Sequence, residues 1–202
     1  VNRAMPMRFD FDLIQRYIEP KSHILDLGCG DGTLLAHLKR HKQVHSVGLE
    51  RDHRKITECI EKNISVIEYD LNNGLRLFNS SSFDVVIMTL TLQSMERPDK
   101  VLEEMLRVGR ECIVTFPNFG HWKARWYLLA KGRMPVSDLL PCEWYDTPNI
   151  HFCTVRDFET LCRKKKITVL NREVLASKSL GKFLCRWCPN LFAETAVYHL
   201  TR

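Results

Sequence analysis

A glycine-rich turn with acidic residues around it follows a short apolar segment near the start of the chain. The run is Ile24-Leu25-Asp26-Leu27-Gly28-Cys29-Gly30-Asp31-Gly32. Glycines directly after a buried strand let the backbone approach a ligand closely, but their spacing differs from the Gly-x-Gly-x-x-Gly pattern that holds a pyrophosphate. The carboxylates of Asp26 and Asp31 would repel a pyrophosphate and attract a cationic amino group. The electrostatics therefore favour S-adenosylmethionine over NAD as the ligand.

Two further carboxylates fall at the ends of the next predicted strands. Glu50 lies about 20 residues past the turn, where an acidic side chain can accept hydrogen bonds from ribose hydroxyls. Asp70 and Leu71 follow the third strand, where the carboxylate can meet an adenine amino group and the leucine its face. A glycine triplet alone is a weak signal, and an α/β domain with an empty ligand site is the alternative. Three such elements at three successive strand ends favour a cofactor site.

Apolar segments that alternate with helical periodicity must position these residues, as in a parallel sheet covered by helices. The pattern predicts an α/β fold with a Rossmann-like, doubly wound and mostly parallel seven-stranded sheet. We interpret residues 1–202 as a single domain in which residues 119–153 form an insertion or lid. The predicted strands are 24–27, 44–49, 66–69, 83–89, 112–116, 167–175 and 193–200, and the predicted helices are 9–18, 33–41, 53–62, one from Pro98, 121–131 and one from a capping box at Thr154 to about Lys165.

Composition narrows the class of protein. Hydrophobic residues make up 45% and charged residues 27% of the chain, which is typical of a globular protein. No apolar run reaches the length of a membrane helix, and residues 1–7 do not resemble a secretory signal. The eight cysteines are scattered, which favours a reducing, cytoplasmic location. A net charge of +6 is a mild excess that does not favour nucleic acid as a partner.

Several other residues carry weaker signals. His151, His121 and Tyr145 have side chains that can act as bases or substrate contacts, but structural roles are favoured for all three. We therefore assign no catalytic residue. Trp122 and Trp126 are four residues apart on a predicted helix, which favours packing into the core over a partner surface.

A single Cys-x-x-Cys pair, Cys185 and Cys188, lacks the two further ligands of a zinc site. The sequence therefore predicts no metal site.

Residues 20–118 resemble the class I S-adenosylmethionine-dependent methyltransferases. The run from Asp26 to Gly32 is similar to their first motif at every fixed position, and Glu50 and Asp70 are similar to the acidic residues on the ribose and adenine sides. The resemblance also implies that Thr89 and Leu90 close over the cofactor. S-adenosylmethionine, or its product S-adenosylhomocysteine, is the implied ligand. The implied cofactor-binding residues are Asp26, Leu27, Gly28, Cys29, Gly30, Asp31, Glu50, Asp70, Leu71, Thr89 and Leu90.

A narrower resemblance, to the MetW family of methionine biosynthesis proteins, extends over residues 8–198. Its segments are 24–32, 103–110, 116–122, 131–136, 147–153 and 187–191, whereas residues 177–186 match no segment. The resemblance implies a role in methionine biosynthesis with homoserine O-acyltransferase as partner. Two functions stay open: a regulatory or accessory subunit of that enzyme, and an active methyltransferase of a small molecule or protein.

Overall fold

The computed structural model describes residues 8–137, 140, 142–148, 150–176 and 183–202. A seven-stranded sheet organises this part of the chain, in the order β3-β2-β1-β4-β5-β7-β6. The strands are β1 (His23–Leu27), β2 (His45–Glu50), β3 (Ser65–Glu68), β4 (Phe83–Thr89), β5 (Gly109–Pro117), β6 (Thr168–Leu175) and β7 (Thr195–Thr201). The helices are α1 (Arg8–Arg16), α2 (Thr33–Lys42), α3 (His53–Glu61), α4 (Pro98–Val108), α5 (Trp122–Lys131), α6 (Val155–Lys165) and the short α7 (Pro189–Phe192).

The sheet is apolar on both faces because helices cover both. Successive residues of β4 point to opposite faces: Val85 and Ile87 belong to one buried cluster, and Val86 and Met88 to the other. Side chains of α1, α2 and α3 complete the first cluster, and those of α4 and α6 complete the second. This pattern of continuous apolar strands is typical of sheets that are buried on both sides.

Local sequence signals set several helix ends. Pro98 occupies the first turn of α4, where its missing N–H has no intrahelical partner to lose. Thr154 and Asp157 form the predicted capping box at the start of α6, with each side chain bonded to the other's backbone N–H. Lys166 ends that helix in a left-handed conformation.

The predicted fold class is confirmed, with small differences at the element ends. β5 begins at Gly109 rather than Cys112, because its first residues pair with β4 from Phe83 onward. The sheet is mixed: β1 to β5 are parallel, whereas β7 inserts between β5 and β6 and runs antiparallel to both. None of the helices in the described ranges is both long and apolar enough to cross a membrane.

Candidate functional site

The glycine turn lies where the strand order reverses, between β1 and β4, at the carboxyl ends of the parallel strands. Open α/β sheets bind ligands at this point. Gly28, Gly30 and Gly32 have φ values of 76°, 59° and 73°, which side chains rarely adopt. The backbone N–H groups of Gly28 and Cys29 donate to the carbonyl of Leu49 at 2.8 and 3.1 Å, so the turn is tied to the end of β2.

The glycines differ in what surrounds them. A Cβ atom at Gly28 would lie 2.8 Å from Oγ1 of Thr91, whereas one at Gly30 would meet no atom within 4 Å. Gly28 is therefore required by the packing of the turn against the residues after β4. Gly30 borders open space, so the backbone there forms a cradle that a ligand can approach.

The sequence prediction missed a close contact beneath the turn. The Sγ atom of Cys29 would lie 2.4 Å from a Cβ atom at Gly48, so β2 needs a glycine where the Cys29 side chain packs. Cys29 Sγ also lies 3.9 Å from Cys59 Sγ on α3, and both thiols are buried. Burial is the main reason that the pKa of each thiol is raised, so both behave as small apolar side chains. A glycine inside a strand pattern was the available signal for Gly48.

Asp26 is the most unusual group of the site. Its side chain is 1% exposed, and neither carboxylate oxygen has a hydrogen-bond partner among the described residues. Burial, and then the nearby charge of Glu50, raises the pKa of Asp26 to about 7. A buried carboxylate without partners is costly, and a cationic group beside it would remove that cost.

Glu50 fastens the turn from the end of β2. One carboxylate oxygen, Oε2, accepts from the N–H of Gly30 at 2.9 Å. The other, Oε1, accepts from the N–H groups of Arg51 and Asp52 at 2.8 and 3.0 Å. A carboxylate has about four acceptor positions, so one position on Oε2 remains for a ligand hydroxyl.

Asp31 is positioned differently from the other acidic residues of the site. Its carboxylate accepts from the N–H and hydroxyl of Thr33 and from the ammonium of Lys62. Burial raises the pKa of Asp31, but these hydrogen bonds outweigh burial and hold the pKa below its usual value. The sequence predicts that the charge of Asp31 attracts a cationic ligand. In the structure, Lys62 neutralises that charge instead. Asp31 fixes the start of α2 and does not face the cradle as a free anion.

Asp70 and Leu71 lie at the end of β3 as predicted. The Asp70 side chain accepts from the N–H of Asn72 at 3.0 Å and lies 3.8 Å from the guanidinium of Arg51. Leu71 is buried and packs in the cluster that contains Leu27 and Leu49. This places a carboxylate and an apolar side chain one strand away from Glu50.

Thr89 and Leu90 end β4 opposite the glycine turn. Leu90 has a φ of 48°, and its N–H donates to both oxygen atoms of Thr115 at 3.0 Å. The side-chain amide of Gln93 donates to the Leu90 carbonyl at 2.7 Å. Gln93 is buried, and its own Oε1 atom has no partner within the described residues. No sequence signal distinguished Gln93.

The main-chain carbonyl of Gln93 links this loop to the predicted lid. It accepts from the N–H groups of Ile150 and His151, both at 2.9 Å. His151 is therefore held at the carboxyl edge of the sheet with an exposed side chain. Asn149, which lies in one of the family-like segments, is outside the described residues, as are residues 177–182 of the unmatched segment 177–186.

The two remaining candidates, His121 and Tyr145, differ in burial. His121 is buried and accepts from the N–H of Lys123 at the start of α5, so it has a structural role. Tyr145 is exposed.

The prediction that Trp122 and Trp126 pack into the core is wrong: they are 44% and 64% exposed. Apolar residues at helical spacing predict an apolar face but do not show what covers it.

Together, these residues suit a ligand with a cationic group and at least one hydroxyl. Asp26 offers a buried negative charge, Glu50 an acceptor position, and Asp70 with Leu71 a polar and an apolar contact. The backbone at Gly30 leaves room for the ligand to approach.

Comparisons with known proteins agree with this fold. The model of the family described as methionine biosynthesis protein MetW matches residues 8–200. A curated relative from Rhodopirellula baltica, the bifunctional methionine biosynthesis protein MetXA/MetW, is 36% identical over an alignment of 201 positions that covers 95% of this chain and 32% of that protein. The chain thus spans about a third of the length of that relative.

Solved structures share the fold at low sequence identity. An S-adenosylmethionine-dependent methyltransferase from Archaeoglobus fulgidus superposes with a TM-score of 0.70 at 13% identity, over 96% of this chain and 94% of the other. One from Mesorhizobium loti gives a TM-score of 0.69 at 16% identity, over 98% and 100% of the two chains. At these identities the likeness establishes the fold alone.

Proposed function

Because the chain belongs to the MetW family of methionine biosynthesis proteins, we propose that it binds S-adenosylmethionine and acts with homoserine O-acyltransferase as a regulatory or accessory subunit. The proposal that the chain binds S-adenosylmethionine rests on Asp26, whose buried carboxylate has no partner among the described residues. Burying a carboxylate without a partner is costly, and groups of this kind cluster at functional sites, which supports a cationic ligand beside Asp26. The proposed role implies a cytoplasmic location.

Each residue of the proposed cofactor site has a distinct task. Asp26 attracts the amino group of the methionine moiety, and Glu50 accepts from the ribose while it fixes the turn. Asp70 and Leu71 hold the adenine. The backbone from Leu27 to Asp31, including Cys29, forms the cradle, and Thr89 and Leu90 close it from the side of β4. When bound, S-adenosylmethionine supplies a sulfonium-activated methyl group.

The partner is inferred from the curated relative. In that protein, a MetW segment and a MetXA segment are carried on one polypeptide, as its description states. Covalent linkage raises the effective concentration of one segment near the other, so it favours pairs that work together. We assign the MetXA segment to a homoserine O-acyltransferase. Wherever the two proteins are separate chains, they must instead associate through a surface.

Cofactor binding is tested with a matched pair of glycine variants. Gly30 and Gly132 have φ values of 59° and 60°, and an added Cβ atom would meet nothing within 4 Å at either position. Gly30→Ala and Gly132→Ala therefore carry the same backbone strain, roughly 1 kcal/mol of lost stability. We expect calorimetry to show at least about tenfold weaker S-adenosylmethionine binding for Gly30→Ala only, since about 1.4 kcal/mol corresponds to tenfold. Equal affinity in both folded variants would reject the proposed site.

The proposed role as a regulatory or accessory subunit is tested by the activity of homoserine O-acyltransferase. Its rate is measured with and without this protein, each with and without S-adenosylmethionine labelled in the methyl group. A rate that depends on both, with no label transferred, supports a regulatory subunit. No effect in any combination rejects that role. Label appearing in an acceptor would support the alternative, an active methyltransferase.

A further inference from the structure

An uncovered apolar face runs along α5, outside the proposed cofactor site. None of the ten side chains of α5 is buried. Trp122, Arg125, Trp126 and Leu129 follow the i, i+3, i+4, i+7 spacing and share one face of the helix. Trp126 is 64% exposed and Leu129 78% exposed.

A helix of this length needs a packed face. Isolated helices shorter than about 12 residues are marginal in water, and most of their stability in proteins comes from burying an apolar face. Two tryptophans are the largest apolar side chains that a helix can offer, and tryptophan and arginine are enriched at the centres of interfaces. The face of α5 therefore has the composition of a docking surface.

A cavity of about 320 Å³ continues this face and is rich in arginine. Arg125 reaches it from α5, Arg156 lies at the start of α6, and Arg172 lies on β6. The exposed indole of Trp187 forms another wall. We call this cavity together with the α5 face the α5 surface.

The charge of the cavity is not balanced from within. Among the described residues that line it, Glu159 alone is acidic, and it is paired with Arg172 at 2.8 Å. Arg125 donates to the carbonyl of Gly120, which orients its guanidinium group. Among the described residues, neither Arg125 nor Arg156 has a carboxylate within ion-pair distance. Within the described part of the chain, the guanidinium groups of Arg125 and Arg156 therefore remain for an anionic group from outside.

We propose that the α5 surface docks the homoserine O-acyltransferase, which presents an acidic side chain to the arginine cavity and apolar side chains to α5. This inference rests on the proposed partnership and adds the place and chemistry of contact. A carboxylate matches two guanidinium groups, and an apolar surround matches Trp122, Trp126 and Leu129.

Protein is favoured over RNA as the occupant. RNA binding combines basic residues with aromatic rings that stack on bases. Here Leu128 and Leu129 expose aliphatic side chains on the same helix as the tryptophans. An apolar core that includes aromatic residues and arginine is typical of protein interfaces.

The test measures association of the purified acyltransferase with this protein and four variants by calorimetry. Trp126→Ala removes an anchor from the helix face, and Arg156→Glu reverses a charge in the cavity. Leu77→Ala and Arg54→Glu are matched controls, since Leu77 is as exposed as Trp126 and Arg54 is an exposed arginine on α3. We expect each of the first two to weaken association at least about 30-fold, and neither control to weaken it.

The outcomes separate this inference from the proposed partnership. If the unmodified protein does not bind the acyltransferase, both fail. If it binds and Trp126→Ala and Arg156→Glu bind equally well, the partnership stands and the α5 surface is overturned. Sedimentation and binding to single-stranded RNA are measured on the same variants. Loss of self-association or of RNA binding, with acyltransferase binding intact, would assign the surface to another occupant and overturn the proposal.

Discussion

Among the carboxylates of the described residues, Asp26 departs clearly from the behaviour of an aspartate in water. A carboxylic acid in solution is ionised well below neutrality, whereas burial raises the pKa of Asp26 to about 7. In the ligand-free protein the group therefore holds a proton through mildly acidic pH. A cationic amino group binds the ionised form, so binding must displace that proton.

This linkage fixes the sign of a pH dependence. Affinity for S-adenosylmethionine should rise as pH increases from 6 to 8, by up to about tenfold per pH unit below the pKa of Asp26. The folded pKa is raised, so the stability that this group contributes without ligand is present at low pH and lost as pH rises through about 7. Calorimetry from pH 6 to 8 measures the first slope, and urea unfolding from about pH 4 to 8 measures the second.

Asp26→Asn is the informative variant, because it keeps the shape of the side chain and removes its titration. We expect weaker binding with a flat pH profile. Asp84→Asn is the control, because Asp84 lies at the amino end of β4, the opposite end of the strands from the site. This variant should keep the pH slope of the unmodified protein. If the Asp26→Asn variant retained the slope, Asp26 would be excluded as its source.

Sequence reasoning and structure agree best where a residue's role is local. The glycine turn follows from glycine spacing, and the capping box at Thr154 follows from two residues three apart. Gln93 could not be predicted in this way, because its importance arises from contacts with Ile150 and His151, which are distant in sequence. The pairing of Asp31 with Lys62, and the exposure of Trp126, likewise depend on tertiary packing that a helical pattern does not encode.

Among the connections between elements, the segment after β4 bears most directly on the site. The amide of Gln93 holds the Leu90 carbonyl, and Leu90 adopts a positive φ at the strand end. Gln93→Leu removes that hydrogen bond but also removes a buried oxygen without a described partner. Since these effects oppose each other, the free energy of unfolding should change by no more than about 1 kcal/mol.

Cofactor affinity should respond more strongly than stability, because the loop at Leu90 loses its fixed position. We expect several-fold weaker S-adenosylmethionine binding for Gln93→Leu. Gln15→Leu is the matched control, since it also loses a 2.7 Å side-chain hydrogen bond, to His37, but on the helices α1 and α2. If both variants bind equally well, the loop is not part of the site.

For the molecule as a whole, the same loop connects the proposed cofactor site with the α5 surface. Gln93 accepts from the N–H groups of Ile150 and His151, and the next residue, Phe152, packs its ring 4.6 Å from that of Phe119, just before α5. This contiguous set of contacts is a physical route by which cofactor binding can alter docking. A route alone does not establish coupling, which is a free energy shared by two binding events.

Reciprocity supplies the test of that coupling. If S-adenosylmethionine changes the affinity for the acyltransferase by some factor, the acyltransferase must change the affinity for S-adenosylmethionine by the same factor. We expect both factors to be about fivefold or more, and equal, when each dissociation constant is measured with and without the other ligand at saturation. Gln93→Leu should reduce both factors together, because Gln93 contacts both the loop at Leu90, through its side chain, and the segment at Ile150 and His151, through its main-chain carbonyl. If neither ligand changes the affinity for the other, the two sites are independent. The acyltransferase would then respond to binding of this protein but not to its cofactor.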